Sequence, residues 1–131
     1  MIEPESFEAE VRELHAFFGR WYSGVAAPSE FSRLDVLADS FIMIGPNGRT
    51  ASVVDVREMI RASYGLRPID FAIKNVSVRS DAPVGTYEEW QTDSGTTTGR
   101  LSTAVMASAP HQPNGLQWVH LHETWLPEAR P

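Results

Sequence analysis

The chain has 131 residues, 42% of them hydrophobic and 21% charged, a size that fits one domain able to bury its own core. It contains no cysteine, which excludes disulfides and Cys-ligated zinc or iron–sulfur centres. The net charge of -6 argues against nucleic-acid and anionic-membrane surfaces, no apolar run approaches the ~18 residues of a membrane span, and the acidic start MIEPESFEAEVRE is unlike a signal peptide, so a cytoplasmic protein is expected.

Phe7, Val11, Leu14, Phe18 and Trp21 or Tyr22 recur at steps of three and four and predict a helix from Pro4 to about Ser23. His15, at the edge of that apolar face, reads as a packed core residue. A shorter helical piece follows Pro28-Ser29, with Phe31, Leu34 and Leu37 on its apolar side. Phe41–Ile44, the turn Gly45-Pro46-Asn47-Gly48 and Arg49–Ala51 predict a hairpin. Ser52-Val53-Val54-Asp55 has the form of a capping box. The helix it opens buries Val56, Met59 and Ile60 and stops at Tyr64-Gly65.

After Gly65 the period changes to that of strands. Ile69, Phe71 and Ile73 alternate, then Val76 and Val78 alternate in the opposite phase, which predicts a bulge near Lys74-Asn75. Three further strands are expected over Val84–Thr92, Arg100–Ser108 and Leu116–Leu126. Ser94–Gly99 has no Lys and no following helix, so it fails as a phosphate cradle and reads as a flexible hairpin connection. The fold class expected is a single α+β domain over 1–131. Three helices pack on one face of a strongly bent, mostly antiparallel sheet and leave a cavity beneath the first helix.

Four segments resemble the nuclear-transport-factor-2-like (NTF2-like, cystatin-like α+β) superfamily, in its DUF4440 and SnoaL-like branch. They are Ser40-Phe-Ile-Met-Ile-Gly-Pro-Asn-Gly48, Tyr87-Glu-Glu-Trp-Gln91, Leu101-Ser-Thr-Ala-Val105 and Trp118-Val-His-Leu-His-Glu-Thr-Trp125. The last is similar to the closing strand of the calmodulin-dependent kinase association domain. The resemblance covers nearly the whole chain, and this fold hosts enzymes, binding modules and assembly domains alike.

Strand alternation sorts the last strand into two sets, Gln117, Val119, Leu121, Glu123 and Trp125 against Trp118, His120, His122 and Thr124. Both sets mix apolar and polar groups, so alternation leaves the cavity side open. The resemblance implies that Glu123 points inward and His120 and His122 outward. It also implies that Tyr87, Glu89 and Gln91, and Ser102, Ala104 and Met106, face the cavity. Glu89 and Glu123 are then the candidate acid–base groups, because two carboxyls in one apolar cavity raise a pKa by burial and mutual repulsion. The alternative is that each is fixed by an arginine, with Arg57, Arg61 or Arg100 available. Tyr22, Tyr87, Gln91, Met106, Leu121 and Trp125 are the expected ligand-binding residues. Trp118, His120 and His122 are expected on the outer face at a homodimer interface.

His120 and His122 share a strand face, but no third ligand at a suitable spacing is visible, so no metal is expected. No cofactor is expected either. Two functions follow. The first is a domain that binds a small apolar molecule between aromatic walls. The alternative is a cofactor-independent SnoaL-like isomerase, cyclase or hydratase that uses a cavity carboxyl or His.

Overall fold

The structure, a computed structural model, describes residues 2–127. Helix α1 spans Pro4–Tyr22, a 3-10 helix spans Pro28–Val36, and helix α2 spans Val53–Ala62. The strands are β1 (Leu37–Ile44), β2 (Thr50–Ser52), β3 (Asp70–Val78), β4 (Val84–Asp93), β5 (Thr96–Ser108) and β6 (Leu116–Trp125). They form one sheet in the order β2-β1-β6-β5-β4-β3. Only β1 and β6 run parallel; every other pair is antiparallel. The chain therefore has the α+β architecture of an NTF2-like cone, with the helices against a mixed sheet. No helix among the described residues is long and apolar enough to cross a membrane.

Local chemistry starts and stops these elements. Ser52 Oγ accepts from the Asp55 N–H at 3.2 Å, and Asp55 Oδ2 accepts from the Ser52 N–H at 3.1 Å, so the capping box sets the start of α2. Beyond α1 and α2 the chain turns at Gly24 and Gly65, both at positive φ (80° and 65°). These two turns pack against each other, and the Gly65 N–H donates to the Trp21 carbonyl at 3.0 Å. A side chain at either glycine would be strained in this left-handed conformation.

The bulge expected at Lys74-Asn75 is present. The β3–β4 register shifts between Lys74 and Ser77, and Asn75 has a φ of 54°. A second register shift lies between β5 and β6. Val105 pairs with His120 but Met106 pairs with Trp118, so Val119 is an extra residue in β6. Extra residues of this kind bend a strand and change which face its side chains meet.

The Ser94–Gly99 segment differs from expectation. The β4–β5 ladder runs on to Asp93 opposite Thr96, closed by Ser94 and Gly95 at φ of 53° and 83°. Positive φ at both central residues is the signature of the tight hairpin turn whose twist matches its strands, so most of this stretch is strand.

The core lies between the helices and the concave face of the sheet. Phe7, Val11, Leu14, Phe17 and Trp21 of α1 pack with Leu34, Val36, Phe41, Val56, Ile60, Met106 and Trp118. A Cβ at Gly85 would come within 2.5 Å of the Phe7 ring, so glycine there lets α1 seat on β4. The buried face of α1 also carries two residues that an apolar stripe does not announce, Glu10 and His15. On α2, Met59 is exposed rather than buried and stands at the rim of the cavity.

Candidate functional site

A cavity of about 350 Å³ opens between α1, α2 and the sheet. Leu14, Phe18 and Tyr22 of α1 form one wall, Phe41 and Met43 of β1 a second, Ile60 of α2 a third, and Phe71 of β3 a fourth. Phe18, Tyr22 and Phe71 pack with ring centroids 5.9–6.1 Å apart. Met59, Leu66 and Arg67 stand at the mouth, where Met59 and Leu66 are exposed. The walls are thus mainly apolar, which suits the burial of a small apolar ligand.

The floor is polar and is built by strand register. Tyr87 on β4 pairs with Ser102 on β5, and Ser102 pairs with Glu123 on β6. One step along, Glu89 pairs with Arg100, and Arg100 pairs with Trp125. Alternation puts both rows on the concave face. His15 reaches down from α1 to meet Glu89.

The His15 contacts define its proton. Nδ1 lies 2.7 Å from the Val11 carbonyl oxygen, which can only accept, so Nδ1 carries a hydrogen and donates it. Nε2 lies 2.8 Å from Glu89 Oε1. A single proton therefore sits between imidazole and carboxylate, on one or the other. Glu89 Oε2 accepts from the Gln91 side-chain amide. Arg100 Nη1 donates to Glu123 Oε1 at 3.0 Å, while Arg100 Nε stands 3.9 Å from Glu89 Oε2, beyond hydrogen-bond reach. The Arg100 guanidinium also covers the Trp125 ring at 4.8 Å.

These contacts move the titrations in opposite directions. Burial favours neutral His15, but the charge and hydrogen bond of Glu89, with the Val11 carbonyl, outweigh it and hold the imidazole above its ordinary pKa. Burial likewise opposes an ionised Glu89, yet the charge and hydrogen bond of His15, then Arg100 and Gln91, bring it below the usual carboxyl range. Both shifts favour the imidazolium–carboxylate form of the pair. Glu123 goes the other way. Burial and then the Glu89 charge raise its pKa, and Arg100 offsets this only in part. Burial and the Glu89 charge also push Tyr22 up to about 12 and Tyr87 well above the usual phenol value.

The structure brings most of the sequence-derived candidates together. Tyr22, Tyr87, Glu89, Gln91, Leu121 and Glu123 all line the cavity. Of the arginines considered as partners, Arg100 takes the role. Arg57 instead donates to the Leu37 carbonyl at 3.1 Å, and Arg61 lies over the Phe31 ring at 4.0 Å.

Three assignments are corrected. Met106 is buried in the core and does not line the cavity. Trp125 is half-exposed at the end of β6, under Arg100 rather than in the wall. Trp118 is turned inward. It is 1% exposed, lines the cavity, and donates its indole N–H to Glu10 Oε2 at 2.8 Å. The physical reason is the extra residue at Val119, which puts Trp118 on the same face as Leu121 and Glu123. His120 is half-buried and His122 exposed. Among the described residues no three His, Asp or Glu side chains converge where a metal ion would sit.

His15 is the site residue that sequence reasoning missed. A histidine next to an apolar stripe is ordinarily a packing residue, and its partner Glu89 is 74 positions away. The available signal was that α1 carries two polar groups, Glu10 and His15, on positions adjoining Val11 and Leu14.

Helices over a bent sheet with a cavity beneath α1 define the NTF2-like fold, and this chain has it. An NTF2-like protein of unknown function from Pseudomonas aeruginosa is 24% identical, covering 93% of this chain and 99% of its own, with a TM-score of 0.84. A putative calcium/calmodulin-dependent kinase II association domain from Exiguobacterium sibiricum is 14% identical, covering 98% of this chain and 100% of its own, with a TM-score of 0.53. ActVI-ORFA from Streptomyces coelicolor is 9% identical, covering 91% of this chain and 97% of its own, with a TM-score of 0.58. No family model matches the chain, and no curated protein matches it in sequence.

Proposed function

We propose that this chain binds a small, mainly apolar molecule in the cavity between α1, α2 and the sheet. The observation that supports this reading most is the division of that cavity, apolar on its walls and polar only on its floor. Such a division buries the body of a ligand and orients one end of it. Within the superfamily we place the chain in the SnoaL-like and DUF4440 branch, acting in the cytoplasm. We also propose a homodimer joined through the outer sheet face at His120 and His122, without Trp118. Light scattering at tens of micromolar tests the dimer; a monomer refutes it.

Binding is tested with a neutral hydrocarbon. 1-Methylnaphthalene is expected to bind saturably at one site per chain, and Leu121→Trp, which fills the cavity, is expected to abolish binding while the fold is retained. Absence of binding to the wild-type protein refutes the reading.

A second reading is favoured by one observation, the contact of His15 Nε2 with Glu89 Oε1 on the cavity wall. A carboxylate whose partner can give or take a proton is equipped for acid–base catalysis without a cofactor, of the isomerase, cyclase or hydratase type. Its test is deuterium exchange in heavy water into ligands that bind the cavity. Exchange in the wild type and none in Glu89→Gln supports catalysis; no exchange in the wild type refutes it.

A further inference from the structure

The floor of the cavity holds polar groups that the protein does not satisfy. Arg100 Nε, Tyr87 Oη and Ser102 Oγ are buried, and none completes a hydrogen bond of full geometry among the described residues; the Ser102 hydroxyl stands close enough to Tyr87 Oη to act on it as a donor, which leaves the Tyr87 O–H without an acceptor. Burying such a group without a partner is costly, and native proteins rarely do it. The three belong to one patch. Ser102 and Arg100 are two apart on β5, and Tyr87 pairs with Ser102 across the ladder. Tyr87 and Arg100 both line the cavity. A guanidinium N–H can only donate, and the two hydroxyls can each donate. What the patch lacks is an acceptor.

The charges around it specify the kind of acceptor. The floor holds two carboxyls, Glu89 and Glu123, against one guanidinium, Arg100, and one imidazole, His15. Each cation already faces a carboxylate: Arg100 lies 3.0 Å from Glu123 Oε1, and His15 lies 2.8 Å from Glu89 Oε1. An anionic ligand would face two carboxyls on a floor whose two cations are already paired, in a site where charge is poorly screened. A cationic ligand would meet the unsatisfied Nε–H of Arg100. An uncharged oxygen fits both constraints.

We propose, resting on the small-molecule reading above, that the cavity recognises an uncharged, mainly apolar ligand by a carbonyl oxygen. That oxygen accepts from Tyr87 Oη and Arg100 Nε. The apolar body lies against Phe18, Phe41 and Phe71.

Three matched probes test this by calorimetry on the whole protein. They are 2-acetylnaphthalene, 2-isopropenylnaphthalene with a methylene in place of the oxygen, and 2-naphthoate. The ketone is expected to bind about three- to tenfold more tightly than the alkene, the effect of one or two hydrogen bonds, and the carboxylate weakest of all. Tyr87→Phe is expected to shrink the preference for the ketone over the alkene; Ser102→Ala tests the same patch if that variant does not fold. Equal binding of ketone and alkene overturns the inference and leaves the apolar cavity standing. Tightest binding of the carboxylate overturns it in favour of an anion site. A ketone preference that survives both substitutions overturns it by placing the oxygen elsewhere. Failure of all three probes to bind refutes the small-molecule reading itself.

Discussion

Buried carboxyls occur at two places in the core, at Glu10 and at the Glu89–Glu123 cluster, and the two are finished differently. Glu10 on α1 is fully buried and receives three donors. Its Oε1 accepts from Arg33 Nη2 at 2.8 Å and Asn114 Nδ2 at 3.1 Å, and its Oε2 accepts from Trp118 Nε1 at 2.8 Å. Those donors come from the 3-10 helix, the β5–β6 connection and β6, so one carboxylate ties four parts of the chain together. The Glu89–Glu123 cluster divides one guanidinium and one imidazole between two carboxyls. Three buried groups beside it, Arg100 Nε, Tyr87 Oη and Ser102 Oγ, lack a full hydrogen bond among the described residues, against one, Arg33 Nη1, beside Glu10. A carboxylate that serves the fold has its lone pairs filled by the chain. The second cluster is left incomplete where it borders the cavity, the condition that the proposed ligand site requires.

The largest expected effect breaks the first cluster. Glu10→Ala leaves the part-buried Arg33 without its carboxylate and strands the buried Trp118 indole N–H, so we expect a loss of about 3–5 kcal/mol, read as a fall in the urea midpoint. A loss below 1 kcal/mol would erase the distinction drawn between the clusters.

Glu89→Ala is expected to cost less, about 1–3 kcal/mol, because His15 and Gln91 lose an acceptor beside a cavity that water can enter. Equal losses for Glu10→Ala and Glu89→Ala would make both clusters structural. Glu123→Gln is expected to change stability by less than about 1 kcal/mol, since it keeps one acceptor for Arg100 and removes the repulsion from Glu89.

The smallest effects are those of pH, and their signs separate the members of the second cluster. Glu89 has a lowered pKa in the folded chain, so its stabilisation is present above 4.5 and is lost as pH falls through the folded value. His15 has a raised one, so its contribution is full below 6.5 and is lost as pH rises through the folded value. Glu123 has a raised carboxyl pKa, so it disfavours the fold progressively as pH climbs from 4.5 through its folded value. Urea midpoints across pH should therefore show the gap between wild type and His15→Gln narrowing above neutrality. Nitrogen chemical shifts should show His15 still doubly protonated as pH passes 6.5, the ordinary imidazole value. A neutral His15 below pH 6 would refute the charged pair.

The class of fold, the order of its elements and several boundaries follow from local chemistry, and local chemistry is written in consecutive residues. The stripe of Phe7, Val11 and Leu14 makes a helix wherever it is placed. Ser52 and Asp55 cap a helix within one turn, and the reversal of phase after Ile73 marks a bulge because strand period is two. The inward direction of Glu89 and Glu123 was reached from the same alternation, joined to a family resemblance. Tertiary structure alone decided the rest. Trp118 turned inward because a single extra residue at Val119 reversed its phase, and nothing in that stretch announces a bulge. Likewise Arg100, rather than Arg57 or Arg61, became the partner of Glu123 because the β5–β6 register puts it one step from that carboxyl. His15 became a site residue because α1 crosses the sheet over β4 and brings together two side chains 74 positions apart. Pairings of that kind depend on register and on the docking of one element against another. Both are settled only when the whole core closes, since no local signal records which distant residue will lie opposite.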